Sequence, residues 1–272
     1  FHWVAVLTGS KNALKGFGFF LGAFLLAVLG FKLAIVVMAV SLVVVAIMSL
    51  WLLSADIGKA KAKVRFSQIF SKNSSLNYLS AARLCLFAAR DVWFVVALPV
   101  YLSSVLNWSF NRIGTFMAVW IIFYGLIQAN TPKLMQLFNR QNLQSSGNRQ
   151  QSLMSSVHLV VIWGSVLTLI SLGIALALSF NLHSQAVIII GLLAFGFVFA
   201  INSSLHSYLI VAFARDDGIS MDVGFYYMAN ALGRLIGTLL SGWTYQYYGL
   251  YPCLIFSALL VCCSVLLIKR VI

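Results

Sequence analysis

The chain has 272 residues and a formal net charge of +13, yet only 8% of it is charged and 62% is hydrophobic. A soluble domain carries about 25% charged residues, so a water-soluble enzyme or binding module is excluded: too few charges exist to cover its surface. Period-two alternation is absent, which argues against a membrane β-barrel. The expected fold class is an all-α polytopic membrane protein. Helices satisfy every backbone amide within the apolar phase, and each crossing needs roughly 20 apolar residues.

In chain order, eight spans are predicted, near 4–30, 33–54, 76–105, 113–131, 154–179, 186–213, 223–247 and 250–268. Gly30 and Lys32 lie at the short turn between the first two. A long charged linker, 55–75, then carries Lys59, Lys61, Lys63, Arg65 and Lys72. Residues 132–152 are polar, with Lys133, Arg140 and Arg149, and the 214–222 loop holds three of the five acids. Alternate loops differ in charge: 55–75, 132–152, 214–222 and the C-terminus hold eleven Lys and Arg, the opposite set only Lys32 and Arg112. The positive-inside rule places the basic set, and with it the C-terminus, in the cytoplasm. The basic linker is read as a topological signal, so the expected partner is the lipid bilayer and no nucleic acid is expected.

No signal peptide precedes the first span, and the sequence starts at Phe1. Two spans, a basic linker and six further spans are the count expected of a twelve-span, six-plus-six transporter without its first four spans. Cys85, Cys253, Cys262 and Cys263 lie within spans without metal-ligand spacing, so they read as small packing residues, and neither metal nor cofactor is expected. His2, Trp3, Trp108 and Tyr247 suit an interfacial belt.

The chemical signal is charge inside the apolar runs. Lys11, Lys15, Arg83, Arg90 and Arg234 are intramembrane cations, with Asp91 the one intramembrane acid. Five cations cannot be neutralised by one carboxylate, and facing lipid they would oppose insertion by roughly 10 kcal/mol. A shared water-filled cavity is the economical placement, with Lys15, Arg90 and Arg234 facing it. Helical spacing supports common faces: Lys11 and Lys15 project about 40° apart, and Arg83 and Arg90 about 20° apart. Asn230 with Arg234, and Asn202 with His206, repeat the four-residue spacing.

Each residue has a plainer reading beside it. Lys11 sits near the start of its span, where it is interfacial. Arg83 lies about one turn from the cytoplasmic end and can snorkel. Asp91 is expected to bond a cation on a neighbouring helix as a structural pair, since Arg90 beside it projects about 100° away. His206 reads equally as a helix-contact residue, and Asn202, Ser203 and Ser204 as interhelical glue. Arg90 and Arg234, near mid-span, are the leading functional candidates. The pairs Gly18 and Gly22, and Gly233 and Gly237, read as close-packing signals. No Walker motif, GxSxG, HExxH or paired intramembrane aspartates occur, so neither an ATP-driven pump nor an intramembrane enzyme is indicated.

The stretch Gly16 to Lys32, GFGFFLGAFLLAVLGFK, resembles the fifth helix of major facilitator superfamily transporters. Exporters there end a glycine-rich motif on Gly-Pro, whereas Ala23 follows Gly22 here. The resemblance implies that 1–54 is the last helix pair of an N-terminal bundle, 55–75 the cytoplasmic central linker and 76–272 a C-terminal six-helix bundle, together helices 5–12 of twelve. The strings GSKNALKG (Gly9 to Gly16), ARDVWFVVALPVYL (Ala89 to Leu102) and GFYYMANALGRLIGTLLSG (Gly224 to Gly242) resemble the ArsJ-type organoarsenical efflux permeases of bacteria. That resemblance implies export across the inner membrane of 1-arseno-3-phosphoglycerate. A glyceraldehyde-3-phosphate dehydrogenase makes this compound when it uses arsenate in place of phosphate. A cavity rich in Arg and Lys suits such an anion, because guanidinium binds oxyanions with a two-pronged fork. A facilitator for another organic anion or drug fits the same residues, as does an anion channel or a non-transporting membrane receptor.

Overall fold

The structure, a computed structural model, describes residues 2–52, 74–138, 149–180, 183–214 and 219–271. Every regular element among them is helical: α1 (His2–Leu52), α2 (Ser74–Phe94), α3 (Ala97–Ser104), α4 (Phe110–Phe138), α5 (Arg149–Ser179), α6 (Ser184–Phe213), α7 (Ile219–Tyr248) and α8 (Leu250–Lys269). The basic linker, from Lys59 to Lys72, lies outside the described residues, as do Arg140 and Arg215.

Among the described residues, six stretches are long and apolar enough to cross a membrane, against the eight expected from the sequence. Two differences account for this. The first two predicted spans are counted together in one stretch, Leu14–Leu52, but they are two helical segments that meet at a kink at Gly30, where the turn was expected and where φ of 72° and ψ of 173° are non-helical. Glycine adopts that conformation without a Cβ penalty, and nothing else between the two apolar runs stops a helix. The second difference is α7, predicted as a span over 223–247. Its 30 residues would reach about 45 Å, but Asn230, Arg234, Thr238, Ser241 and Thr244 dilute its apolar content.

The predicted span 76–105 is broken at Val95 and Val96, between α2 and α3. Pro99 explains the break: it lacks an N–H, and its ring clashes with the carbonyl four residues back, that of Val95. A helix start leaves its first amides unpaired. One of them, the buried Ala97 amide, donates to Ser241 Oγ of α7 at 3.1 Å. Pro132 inside α4 has the same effect on the Gln128 carbonyl, which accepts from Ser204 Oγ of α6 at 3.4 Å.

α2 runs against α7 and α8 and touches α6; α5 lies along α6 and α8; α4 joins α6 to α1. The core between α2, α4 and α6 is aromatic. Phe94 and Trp120 have centroids 4.3 Å apart, Phe87 meets Phe199 edge-on at 5.4 Å, and Trp120 Nε1 donates to the Leu192 carbonyl at 2.7 Å. The outside is apolar too: Leu169, Leu176, Leu239 and Leu259 are all exposed. A surface of that kind is stable against hydrocarbon, not water.

The two glycine pairs differ in role. A Cβ at Gly233 would collide with the Leu84 carbonyl, and one at Gly237 would stand 2.6 Å from the Ala88 carbonyl, both on α2. These glycines let the α7 backbone reach the α2 backbone. At Gly18 and Gly22, by contrast, a Cβ would meet nothing within 4 Å. Close approach of α1 to α4 occurs instead at Gly16, against Ile122 and the Ala118 carbonyl, and at Gly114, against Ala23.

Candidate functional site

The close contact of α7 with α2 sets the geometry around Asp91. A Cβ on Gly237 would lie 3.0 Å from Asp91 Cβ. Gly237 therefore brings α7 down onto the aspartate, and Arg234, one turn earlier, is delivered beside it. Arg234 Nε donates to Asp91 Oδ2 at 3.1 Å. Arg90 wraps back along its own helix, so that both Nε and Nη2 reach Asp91 Oδ1 at 2.6 Å. Adjacent residues on a helix project about 100° apart, and the length of the arginine side chain bridges that angle. One carboxylate, with no exposed side-chain surface, thus serves two guanidiniums. The group carries one net positive charge.

The two arginines differ in exposure. The Arg90 side chain is 11% exposed and stacks over Phe87 at 4.8 Å and Phe199 at 5.4 Å. The Arg234 side chain is 46% exposed. Its Nε is anchored, while its two Nη groups have no hydrogen-bond partner among the described residues. An open Nη pair is the end that grips an oxyanion with two parallel bonds.

Arg83 forms a second centre one face-repeat away on α2. Its Nη1 donates to the Ser203 carbonyl at 2.8 Å and Ser203 Oγ at 3.0 Å, and its Nη2 to Ser207 Oγ at 3.4 Å. The guanidinium carbon stands 4.2 Å from the Phe87 ring and 5.0 Å from the Tyr226 ring. Arg83 is buried at 3% exposure, so it is held among helices and does not snorkel to an interface.

Asn202 and His206 of α6 are both buried. Asn202 Oδ1 and the two ring nitrogens of His206 have no hydrogen-bond partner. Asn202 turns toward α5, where its Nδ2 is 3.4 Å from the position of a Cβ on Gly164. Asn230 lies one turn before Arg234, with its Oδ1 buried and unpartnered. Lys15 is exposed on α1, which packs mainly along α4. The side chain of Lys11 is outside the described residues.

Arg90, Asp91 and Arg234 therefore form one group and Arg83 another, joined through Phe87, while Lys15 belongs to the α1–α4 side. Phe87, Ser207 and Tyr226 were not singled out from the sequence. Phe87 was within reach of spacing: four residues after Arg83 and three before Arg90, it shares their helix face. Ser207 lies four after Ser203, a spacing of the same kind. Nothing local marks Tyr226, which arrives from another helix. Two open cavities lie elsewhere. One, of about 530 Å³, is lined by Gly18, Gly22, Phe19, Pro99 and Met117. The other, of about 470 Å³, is lined by Trp108, Arg112 and Phe116.

No protein-family model, curated protein or solved structure matches the chain. The fold itself defines the class: among the described residues every regular element is helical and six stretches are able to cross a membrane, as in a multi-pass membrane protein.

Proposed function

We propose that this chain belongs to a secondary transporter of the major facilitator type, which exports an organic anion across a bacterial inner membrane by alternating access. The proposed cargo is the organoarsenical 1-arseno-3-phosphoglycerate, supplied by a glyceraldehyde-3-phosphate dehydrogenase acting on arsenate, with arsenate resistance as the result. The substrate choice rests on the resemblance of the strings around Arg90 and Arg234 described above.

The observation that supports an anionic cargo is the state of Arg234. Its Nε is fixed on the buried Asp91, and its Nη groups are open at a half-exposed position. Asp91 orients the fork; Arg90, held on the same carboxylate, adds the charge that leaves the group net positive. Asn230, one turn away, offers an amide to the same end of the anion. In this mechanism the cavity faces the cytoplasm when empty. Binding of the anion relieves the repulsion between guanidiniums, favours occlusion and precedes opening to the outside. The basic loops place the C-terminus in the cytoplasm.

The test is arsenate resistance of cells making the full-length protein together with the dehydrogenase, normalised to the amount in the membrane. Arg234→Lys keeps the charge but loses the planar fork, so resistance per molecule falls; Arg234→Ala lowers it further. Wild-type resistance per molecule in Arg234→Ala overturns the assignment. Flux into everted vesicles separates the rivals: saturable uptake of another organic anion alone would replace the cargo, and non-saturating flux would indicate an anion channel.

A further inference from the structure

Arg112 stands outside both arginine centres, in the first turn of α4. Ser109 precedes this helix, and its Oγ accepts the Arg112 backbone N–H at 3.4 Å. The Arg112 guanidinium carbon stands 4.1 Å over the ring of Trp108. Trp108 is itself buried and meets Phe116 edge-on at 5.5 Å. Aromatic contact therefore holds Arg112 in place. Its guanidinium N–H groups have no hydrogen-bond partner, and no carboxylate is ion-paired with it, among the described residues. The first turn of α4 holds no acidic residue. The unpaired first amides and the positive end of the helix dipole add to the charge of Arg112.

The position of this charge along the membrane is specific. The membrane-length stretch of α4 runs from Phe110 to Leu134, so Arg112 lies at the boundary between headgroups and hydrocarbon. A cavity of about 470 Å³ opens there, lined by Trp108, Asn111, Arg112, Thr115, Phe116 and Val119. Its lining grades from polar in the first turn of α4 to apolar about 10 Å further along the axis. Val119, Phe123 and Leu126 continue the same face and are exposed; all three project within about 40° of Arg112 at 100° per residue. A charged end at the boundary and an apolar track into the membrane match one phospholipid lying along the helix. A purely topological role explains Arg112 less well. Its loop belongs to the set that carries only Lys32 and Arg112, opposite the basic loops, whereas topological cations gather on the basic side.

We propose that Arg112, seated on Trp108, binds the phosphate of an anionic glycerophospholipid, with an acyl chain along the Phe116, Val119, Phe123 and Leu126 face of α4. A guanidinium takes phosphate with two parallel N–H bonds, and the Arg112 donors are free to do so. The headgroup is anionic because the lining offers a cation but no carboxylate to hold the ammonium of a zwitterionic lipid. Asn111 and Thr115 supply neutral polar groups for a glycerol headgroup and for ester oxygens. The site is separate from the group at Asp91 and does not depend on the cargo proposed above.

The test is native mass spectrometry of the purified full chain in detergent, titrated with dioleoyl phosphatidylglycerol or dioleoyl phosphatidylcholine. We expect saturable binding of a first phosphatidylglycerol with about fivefold higher affinity than phosphatidylcholine. Arg112→Gln, at an exposed position, should remove that preference. Lys133→Gln, exposed near the other end of the same face, should keep it. Glycerol 3-phosphate, which has the phosphate without the chain, should not displace the lipid. Equal affinity for the two lipids, or a preference retained in Arg112→Gln, overturns the proposal. An equal loss in Lys133→Gln reduces the effect to general surface charge and overturns the site. Displacement by glycerol 3-phosphate at concentrations equal to the lipid assigns the position to a soluble anion and overturns the lipid assignment; this arm uses the unsubstituted protein and needs no variant to fold.

Discussion

Arg83 and Arg90 share one aromatic ring: their guanidinium carbons lie 4.2 Å and 4.8 Å from the centroid of Phe87. A cation over an aromatic face gains about 0.5–1 kcal/mol when exposed and about 2 kcal/mol when desolvated, and both of these sites are buried. Phe87→Leu keeps an apolar side chain but removes the ring from two cations at once. We expect a loss of about 2–3 kcal/mol, with Phe87→Tyr retaining most of the stability. Unfolding in detergent measures both. A Leu variant as stable as the wild type would show that the ring acts only by filling space.

Asp91 holds two cations, and the two should respond unequally to its loss. Asp91→Asn leaves Arg90 buried without a counter-charge, which costs about 3–5 kcal/mol for a broken buried pair. Arg234→Gln removes a partner that is half in solvent, and a screened pair of that kind contributes about 1 kcal/mol or less. The ordering is checked by unfolding free energies of the two variants. Equal losses would mean that Arg90 draws no support from Asp91.

The glycines of α7 and α1 separate two roles that look alike in the sequence. Gly237→Ala would place a methyl 2.6 Å from the Ala88 carbonyl and push α7 off α2. We expect destabilisation of about 1–3 kcal/mol, together with loss of the Arg234–Asp91 contact. Gly22→Ala meets nothing within 4 Å and should stabilise the helix by up to about 1 kcal/mol. Thermal melts of the two single variants make the comparison.

Ser241 closes the gap that Pro99 opens. Ser241→Ala leaves the buried Ala97 amide without an acceptor, and an orphaned buried donor costs about 1–3 kcal/mol. Hydrogen exchange at Ala97 should accelerate in step with the loss of stability. Ser165→Ala is the control: its hydroxyl bonds the Val161 carbonyl of its own helix at an exposed position, so its change should stay within about 0.5 kcal/mol.

The sequence by itself determined the helical class, because apolar content and the length of each run are one-dimensional properties that a bilayer reads directly. It also marked Asp91, Arg90, Arg234, Arg83, Asn202 and His206, since polar groups stand out against an apolar background. Packing decided how they are joined. Gly233 and Gly237 bring two backbones together, and this puts Arg234 rather than Lys15 on Asp91. The reach of a long side chain lets Arg90 share that carboxylate across the angle its helix position imposes. The turn expected at Gly30 is a kink between two helical segments, but its φ of 72° and ψ of 173° are torsions that hydropathy, averaged over about 20 residues, does not specify.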